Sequence, residues 1–106
     1  MASLGTITLT GKSGDEYAFN IYARSTDFKA IGAVYVMSRV NDNGRYAIIY
    51  IGQTGDLSDR PLNHHKSACF DKHKADKVLV HAESKESTRL NIETDLVRAY
   101  DPTCNG

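Results

Sequence analysis

The sequence predicts one mixed α and β domain, with antiparallel strands in its first half and helices after them. Three observations carry this reading. Two hairpins precede residue 53, one of alternating strands and one of β-branched and aromatic runs, a short apolar strand covers residues 77–82, and an amphipathic stretch follows that ends at Pro102. At 106 residues the chain has room for a single modest core. Residues 1–26 read as a hairpin extension and residues 32–105 as the body of the domain.

Residues 6–10 alternate between polar and apolar, and residues 17–22 do so again. Gly-Lys-Ser-Gly-Asp between them is turn chemistry. One side of such a hairpin must be buried, so it should extend or cover a sheet edge. Residues 24–29 show no period and read as a connector.

The second hairpin runs Ala-Val-Tyr-Val-Met-Ser-Arg-Val, then Asn-Asp-Asn-Gly-Arg, then Tyr-Ala-Ile-Ile-Tyr-Ile-Gly. Asn43-Gly44 is the strongest short-range hairpin signal. A two-residue loop there, or a four-residue loop one step wider, pairs positions whose numbers sum to an odd value. Either register puts Tyr35 and Tyr50 on one face and Val34, Val36, Ile49 and Ile51 on the other. Apolar residues on both faces require both to be covered. Two phenols on a covered face need hydrogen-bond partners, for packing or for chemistry.

Beyond Gly52, Thr54, Asp56 and Ser58 are candidate helix caps, and Gly55 permits a turn. Leu57, Arg60, His64 and Ala68 recur at helical spacing. Pro61 is tolerated in a first turn, which favours a cap at Ser58. Residues 70–76 are polar and read as a loop. After the strand, Ser84 or Ser87 caps a helix that runs to about residue 100. Its apolar stripe is Leu90, Leu96, Val97 and Tyr100, with Glu93 in the middle and Asp95 and Arg98 pointing away. A carboxylate on such a stripe is costly unless it has a partner, a metal or an open cleft. A Glu at the stripe's edge that reaches water is the plain counterpart.

Thirteen acidic and thirteen basic residues balance at zero, which weighs against strong non-specific nucleic-acid binding. The bases Arg60, Lys66, Lys72, Lys74 and Lys77 nevertheless cluster with His64, His65 and His73, the best place for a local basic surface. No apolar run is long enough to span a membrane, and the first residues lack the regions of a signal peptide. Two cysteines imply no disulfide framework, so a reduced, cytoplasmic protein is expected. His65, Cys69 and His73 follow one another at four-residue steps and suggest zinc. Three ligands on one helix face, however, cannot close a tetrahedron.

Ala33-Val34-Tyr35 and Tyr50-Ile51-Gly52, at this separation, resemble the paired signature of the GIY-YIG nuclease family. The resemblance covers residues 32–105. Related nucleases carry an arginine on the first helix and a histidine or tyrosine four positions later, matched here by Arg60 and His64. They also carry a glutamate on a later helix and a tyrosine-proline segment ending in asparagine, matched by Glu93 and the run from Tyr100 to Asn105. Ala33 in place of glycine, Pro61 directly after the arginine and the neutral charge are departures.

The resemblance implies an α/β sandwich, a small, mainly antiparallel sheet with helices packed around it. It further implies hydrolysis of phosphodiesters in nucleic acid, DNA first, assisted by Mg²⁺ or Mn²⁺ on Glu93. Arg60 would hold phosphate oxygens. Tyr35 would receive the proton of the attacking water, and its phenol needs cationic neighbours to do so. Tyr50 and His64 would orient water and phosphate, and Asn105 would fix the site from the chain end. Gly52, Lys66, Lys72 and Lys74 are the candidate substrate contacts. The catalytic set should line one cleft. A binding module for nucleic acid or protein, keeping this fold without useful catalysis, is the alternative. Retention of Glu93 speaks against it. A homodimer is compatible with the sequence, and a membrane partner is not expected.

Overall fold

The two hairpins and the buried strand join into one five-stranded antiparallel sheet. The computed structural model describes residues 3–59 and 65–105. Its elements are β1 (Gly5–Thr10), β2 (Glu16–Ala23), β3 (Ala33–Val40), β4 (Tyr46–Thr54), α1 (Ser67–Lys72), β5 (Lys77–Ala82) and α2 (Glu86–Tyr100), with a 3-10 turn at Leu57–Asp59. The strand order is β1-β2-β5-β3-β4. The last strand in sequence therefore sits at the centre, which is why Val78, Leu79 and Val80 are all buried. The N-terminal hairpin extends the sheet through β2, which pairs with β5 from Asn20↔Val80 to Ala23↔Lys77.

Each face of the sheet has its own core. One gathers Tyr22, Tyr35, Met37, Val78 and Val80 beneath Leu57, Phe70 of α1 and Cys104 of the C-terminal tail. The other packs Leu9, Phe19, Ile21, Val34, Val36, Ile51 and Leu79 against Ile92 and Leu96 of α2. This is an α+β domain with helices on both faces of an antiparallel sheet.

The tyrosine hairpin reaches its expected outcome by a different route. Its loop has three residues, not two or four. The Asn41 N–H donates to the Arg45 carbonyl at 2.7 Å and the Gly44 N–H to the Asn41 carbonyl at 2.9 Å, with Gly44 left-handed at φ 80°. This is a turn followed by a glycine bulge. Near the loop the partners are Val40↔Tyr46 and Ser38↔Ile48, an even sum that would put Tyr35 and Tyr50 on opposite faces. A second bulge between Met37 and Ser38 shifts the register to Met37↔Tyr50 and Tyr35↔Gly52. The tyrosines thereby return to one side. The cost falls on Ile49, which joins their face instead of opposing it.

Helical expectations needed more correction. Ser58 lies within the 3-10 turn and α1 begins at Ser67, while most of the helix expected from Ser58 falls on residues 60–64, outside the described residues. Phe70, expected in a polar loop, is a fully buried residue of α1. On α2 the buried residues are Arg89, Ile92 and Leu96, while Leu90 is 43% and Tyr100 36% exposed. Ile92 and Leu96 set the phase because they fill the cluster made by β3, β4 and β5 together with the N-terminal hairpin. The N-cap is Lys85, without a side-chain cap. The Ser84 carbonyl instead accepts from Arg89 Nη1 at 2.8 Å.

Asp95, expected to point away, is the anchor of the N-terminal turn. Its carboxylate accepts from the Ser13 N–H at 2.9 Å, the Ser13 hydroxyl at 2.7 Å and the Tyr17 hydroxyl at 2.7 Å. These donors hold it below the usual carboxylate range, the Ser13 hydroxyl first. A Cβ on Gly11 would collide with it, so the turn needs glycine there. Burial, then the bond to Asp95 and its charge, push the Tyr17 phenol up to about 12. Below its ordinary value near 10 the neutral phenol supports the fold, and that support is lost as pH rises through about 12. Replacing Asp95 with Asn should lower the Tyr17 titration midpoint, with burial keeping part of the elevation. Amide exchange at Ser13 should also accelerate. Phenolate absorbance across an alkaline titration reads the first effect, and an unchanged midpoint would remove Asp95 as its cause.

Candidate active site

The register shift sets Tyr35 directly opposite Gly52. The Tyr35 and Tyr50 rings lie side by side with centroids 6.1 Å apart, tilted by 38°. Gly52 sits against both. A Cβ there would come within 2.8 Å of Tyr35 Cζ and Oη and of Tyr50 Cε2. Glycine is thus required by the phenols, which lie where a side chain would stand. Tyr35 is almost wholly buried and Tyr50 half-buried, its ring 5.4 Å from that of Phe70. Replacing Gly52 with Ala should displace one of the two rings and destabilise by about 1–3 kcal/mol, the usual range for overpacking. Urea unfolding measures it, and a variant as stable as the parent would mean that the rings have room to give.

Glu93 and Asn105 meet β4 along its outer edge. The Asn105 amide clamps one residue, accepting from the Ile51 N–H at 2.9 Å and donating to the Ile51 carbonyl at 2.8 Å. One residue earlier the Cys104 N–H donates to the Ile49 carbonyl at 2.9 Å. The tail therefore satisfies an edge strand that would otherwise present unpaired backbone groups. Two positions beyond Ile51, the Gln53 backbone N–H donates to the Glu93 carboxylate. Burial raises the Glu93 pKa, and the Gln53 bond only partly offsets that. Among the described residues no lysine or arginine forms an ion pair with Glu93. Its cleft, about 380 Å³, is lined by Glu93, Thr94, Val97, Arg98 and Asn105.

The expected set thus falls into two groups joined by β4. The tyrosines belong to the face under α1, whereas Glu93 arrives on α2 from the opposite face and reaches the strand's edge. Consecutive residues of β4 connect them: Tyr50 stands with Tyr35, Ile51 holds Asn105, Gly52 carries both rings and Gln53 holds Glu93. Tyr35 and Tyr50 are not among the described residues lining the Glu93 cleft. Arg60 and His64 lie outside the described residues. Lys66 precedes α1, Lys72 ends it and Lys74 follows it in a left-handed conformation at φ 58°. The three lysines thus belong to one short segment.

Sequence reasoning missed Gln53 and the docking of Arg89 on it. Arg89 is only 5% exposed. Its Nε donates to Gln53 Oε1 at 2.9 Å, and its Nη1 donates to the carbonyls of Glu83 at 3.1 Å and Ser84 at 2.8 Å. A buried guanidinium with several acceptors is well satisfied. Arg89 and Glu93 stand one helical turn apart and both dock on Gln53, which fixes where the carboxylate points. Their four-residue spacing was visible in the sequence; the shared strand residue was not.

The cysteines overturn another expectation. Cys69 of α1 and Cys104 of the tail form a disulfide with Cα atoms 6.0 Å apart. Nothing in a separation of 35 residues announces that pairing. It arises because α1 and the tail pack on the same face of the sheet. No described helix is long and apolar enough to cross a membrane. No protein-family model matches the chain, and comparison with curated proteins and with solved structures finds no match.

Proposed function

We propose that this protein is a metal-dependent endonuclease of the GIY-YIG type, hydrolysing phosphodiester bonds in nucleic acid, with DNA as the first substrate class. One observation carries the reading: paired phenols over Gly52, on the strand whose outer edge is held by Asn105 and Glu93. The sequence order of these residues is the order that the resemblance implies.

Glu93 suits a hard divalent cation. It is a desolvated carboxylate without a described cationic partner, opening on a cleft where water and a phosphate oxygen can complete coordination. Mg²⁺ or Mn²⁺ held there would supply stabilisation of charge on the phosphate and the leaving oxygen. The chain's own residues do the rest. Tyr50, half-buried beside Tyr35, orients the attacking water, and Tyr35, as the phenolate that cationic neighbours would favour, accepts its proton. Asn105 keeps β4 in place by its two bonds to Ile51, and Gln53 aims the carboxylate. Arg60 and His64 take the phosphate in this reading, and the lysines 66, 72 and 74 meet the substrate backbone as charges.

The near-complete burial of Tyr35 favours a second reading, a binding module that uses the same fold without turnover. A cleavage assay with branched, nicked, single-stranded and duplex substrates in Mg²⁺ or Mn²⁺ separates the two. Metal-dependent cutting that fails in Tyr50→Phe supports the nuclease. Binding without cutting on every substrate supports the module.

A further inference from the structure

The disulfide has a third neighbour. The sulfur atoms of Cys69 and Cys104 and a ring nitrogen of His73 all lie within 4.8 Å of one another. Each is positioned by backbone contacts that do not depend on the sulfur–sulfur bond. The His73 N–H donates to the Cys69 carbonyl at 3.1 Å, the helical bond that sets the two side chains one turn apart. Arg39 Nη1 donates to the His73 carbonyl at 3.2 Å. Directly after His73, left-handed Lys74 closes the helix. Its N–H donates to the Asp71 carbonyl at 3.1 Å, and the Ala75 N–H donates to that of Phe70 at 3.0 Å. Cys104 is held between its own bond to Ile49 and the Asn105 clamp on Ile51.

We propose that Cys69, His73 and Cys104 form a redox-gated zinc site, closed as a disulfide when oxidised and binding one Zn²⁺ when reduced. The ligand set differs from the one suggested by spacing alone, with Cys104 from the tail in place of His65. This removes the objection that three ligands on one helix face cannot surround a metal. Opening the site consumes two electrons and two protons: two thiols supply both and become a disulfide, or a phosphine supplies the electrons and becomes its oxide with the oxygen of a water that yields the protons. The two thiols formed then release two protons as Zn²⁺ binds their sulfurs. Tetrahedral zinc with bonds of about 2.3 Å to sulfur and about 2.0 Å to nitrogen places its ligand atoms roughly 3.5–3.8 Å apart. The ligand atoms, within 4.8 Å of one another, have at most about an ångström to close once the sulfurs part. Two thiolates and a neutral imidazole balance the cation's charge. Cys104 is buried, whereas Cys69 and His73 are half-buried, so the fourth position opens on the α1 side and takes water.

The proposal does not rest on nuclease activity, and its test uses the full chain with Zn²⁺ alone. Phosphine-reduced protein, freed of excess reductant without oxygen, should take up one Zn²⁺ per chain, and its melting temperature should rise. Air-oxidised protein should take up none. The Co²⁺ form should show a thiolate-to-metal charge-transfer band. His73→Gln leaves the disulfide available, so its oxidised melting curve serves as the folding control, and its reduced form should bind Zn²⁺ at least about tenfold more weakly. Absence of uptake by the reduced parent, equal uptake by the oxidised one, or undiminished affinity in His73→Gln would each overturn the site.

Discussion

On the proposed nuclease reading, replacing Glu93 with Gln should abolish metal-dependent cleavage while the protein stays folded and becomes no less stable. The carboxylate is half-buried and desolvated, with the Gln53 N–H as its stabilising contact. Its pKa is raised, so the folded state binds its proton more tightly than the unfolded chain does. The ionised group therefore weakens the fold at neutral pH, and stability is recovered as pH falls through the folded value. Glutamine keeps an oxygen for the Gln53 N–H and removes the charge. It should also remove the acid-side gain from a pH–stability curve. Arg89 is not left unpaired by this change, because its donors go to Gln53, Glu83 and Ser84. Melting curves from acid to neutral pH, and cleavage assays with and without Mg²⁺, are the measurements. A variant that is less stable and still active would reject Glu93 as the metal ligand.

Deleting residues 1–26 should prevent folding altogether. The deletion removes Leu9, Phe19, Ile21 and Tyr22, each no more than 7% exposed. At about 1.5–3 kcal/mol for each buried side chain the loss is roughly 6–12 kcal/mol. That is comparable to the whole stability of an ordinary domain, about 5–15 kcal/mol. Two further costs follow. The edge of β5 loses its pairing with β2, and Asp95 loses Ser13 and Tyr17. Loss of near-ultraviolet dichroism and of a cooperative urea transition is the expected result. A truncated chain that melts as the full one does would make the hairpin dispensable to the core and turn it into a candidate partner surface.

The sequence by itself determined the parts of this protein that depend on local period. Alternation marked the strands of the first hairpin, β-branched and aromatic runs around Asn43-Gly44 marked the second, an apolar run marked β5, and Pro102 marked the end of α2. Face assignments depended on how far the local signal reached. Tyr35 and Tyr50 were placed together by an Asn-Gly register that the loop does not adopt. A bulge between Met37 and Ser38 restored the pairing, and bulges answer to packing on both faces of a sheet. The phase of α2 was misread because Leu90 and Tyr100 are apolar enough to suggest a stripe. The helix turns by the contacts that Ile92 and Leu96 find on the sheet face shared by the two hairpins and β5. The disulfide, the Asp95 anchor and the docking of Arg89 and Glu93 on Gln53 were decided only by tertiary structure. Each joins residues whose separation in the chain carries no periodic signal, so only the packed sheet could bring them together.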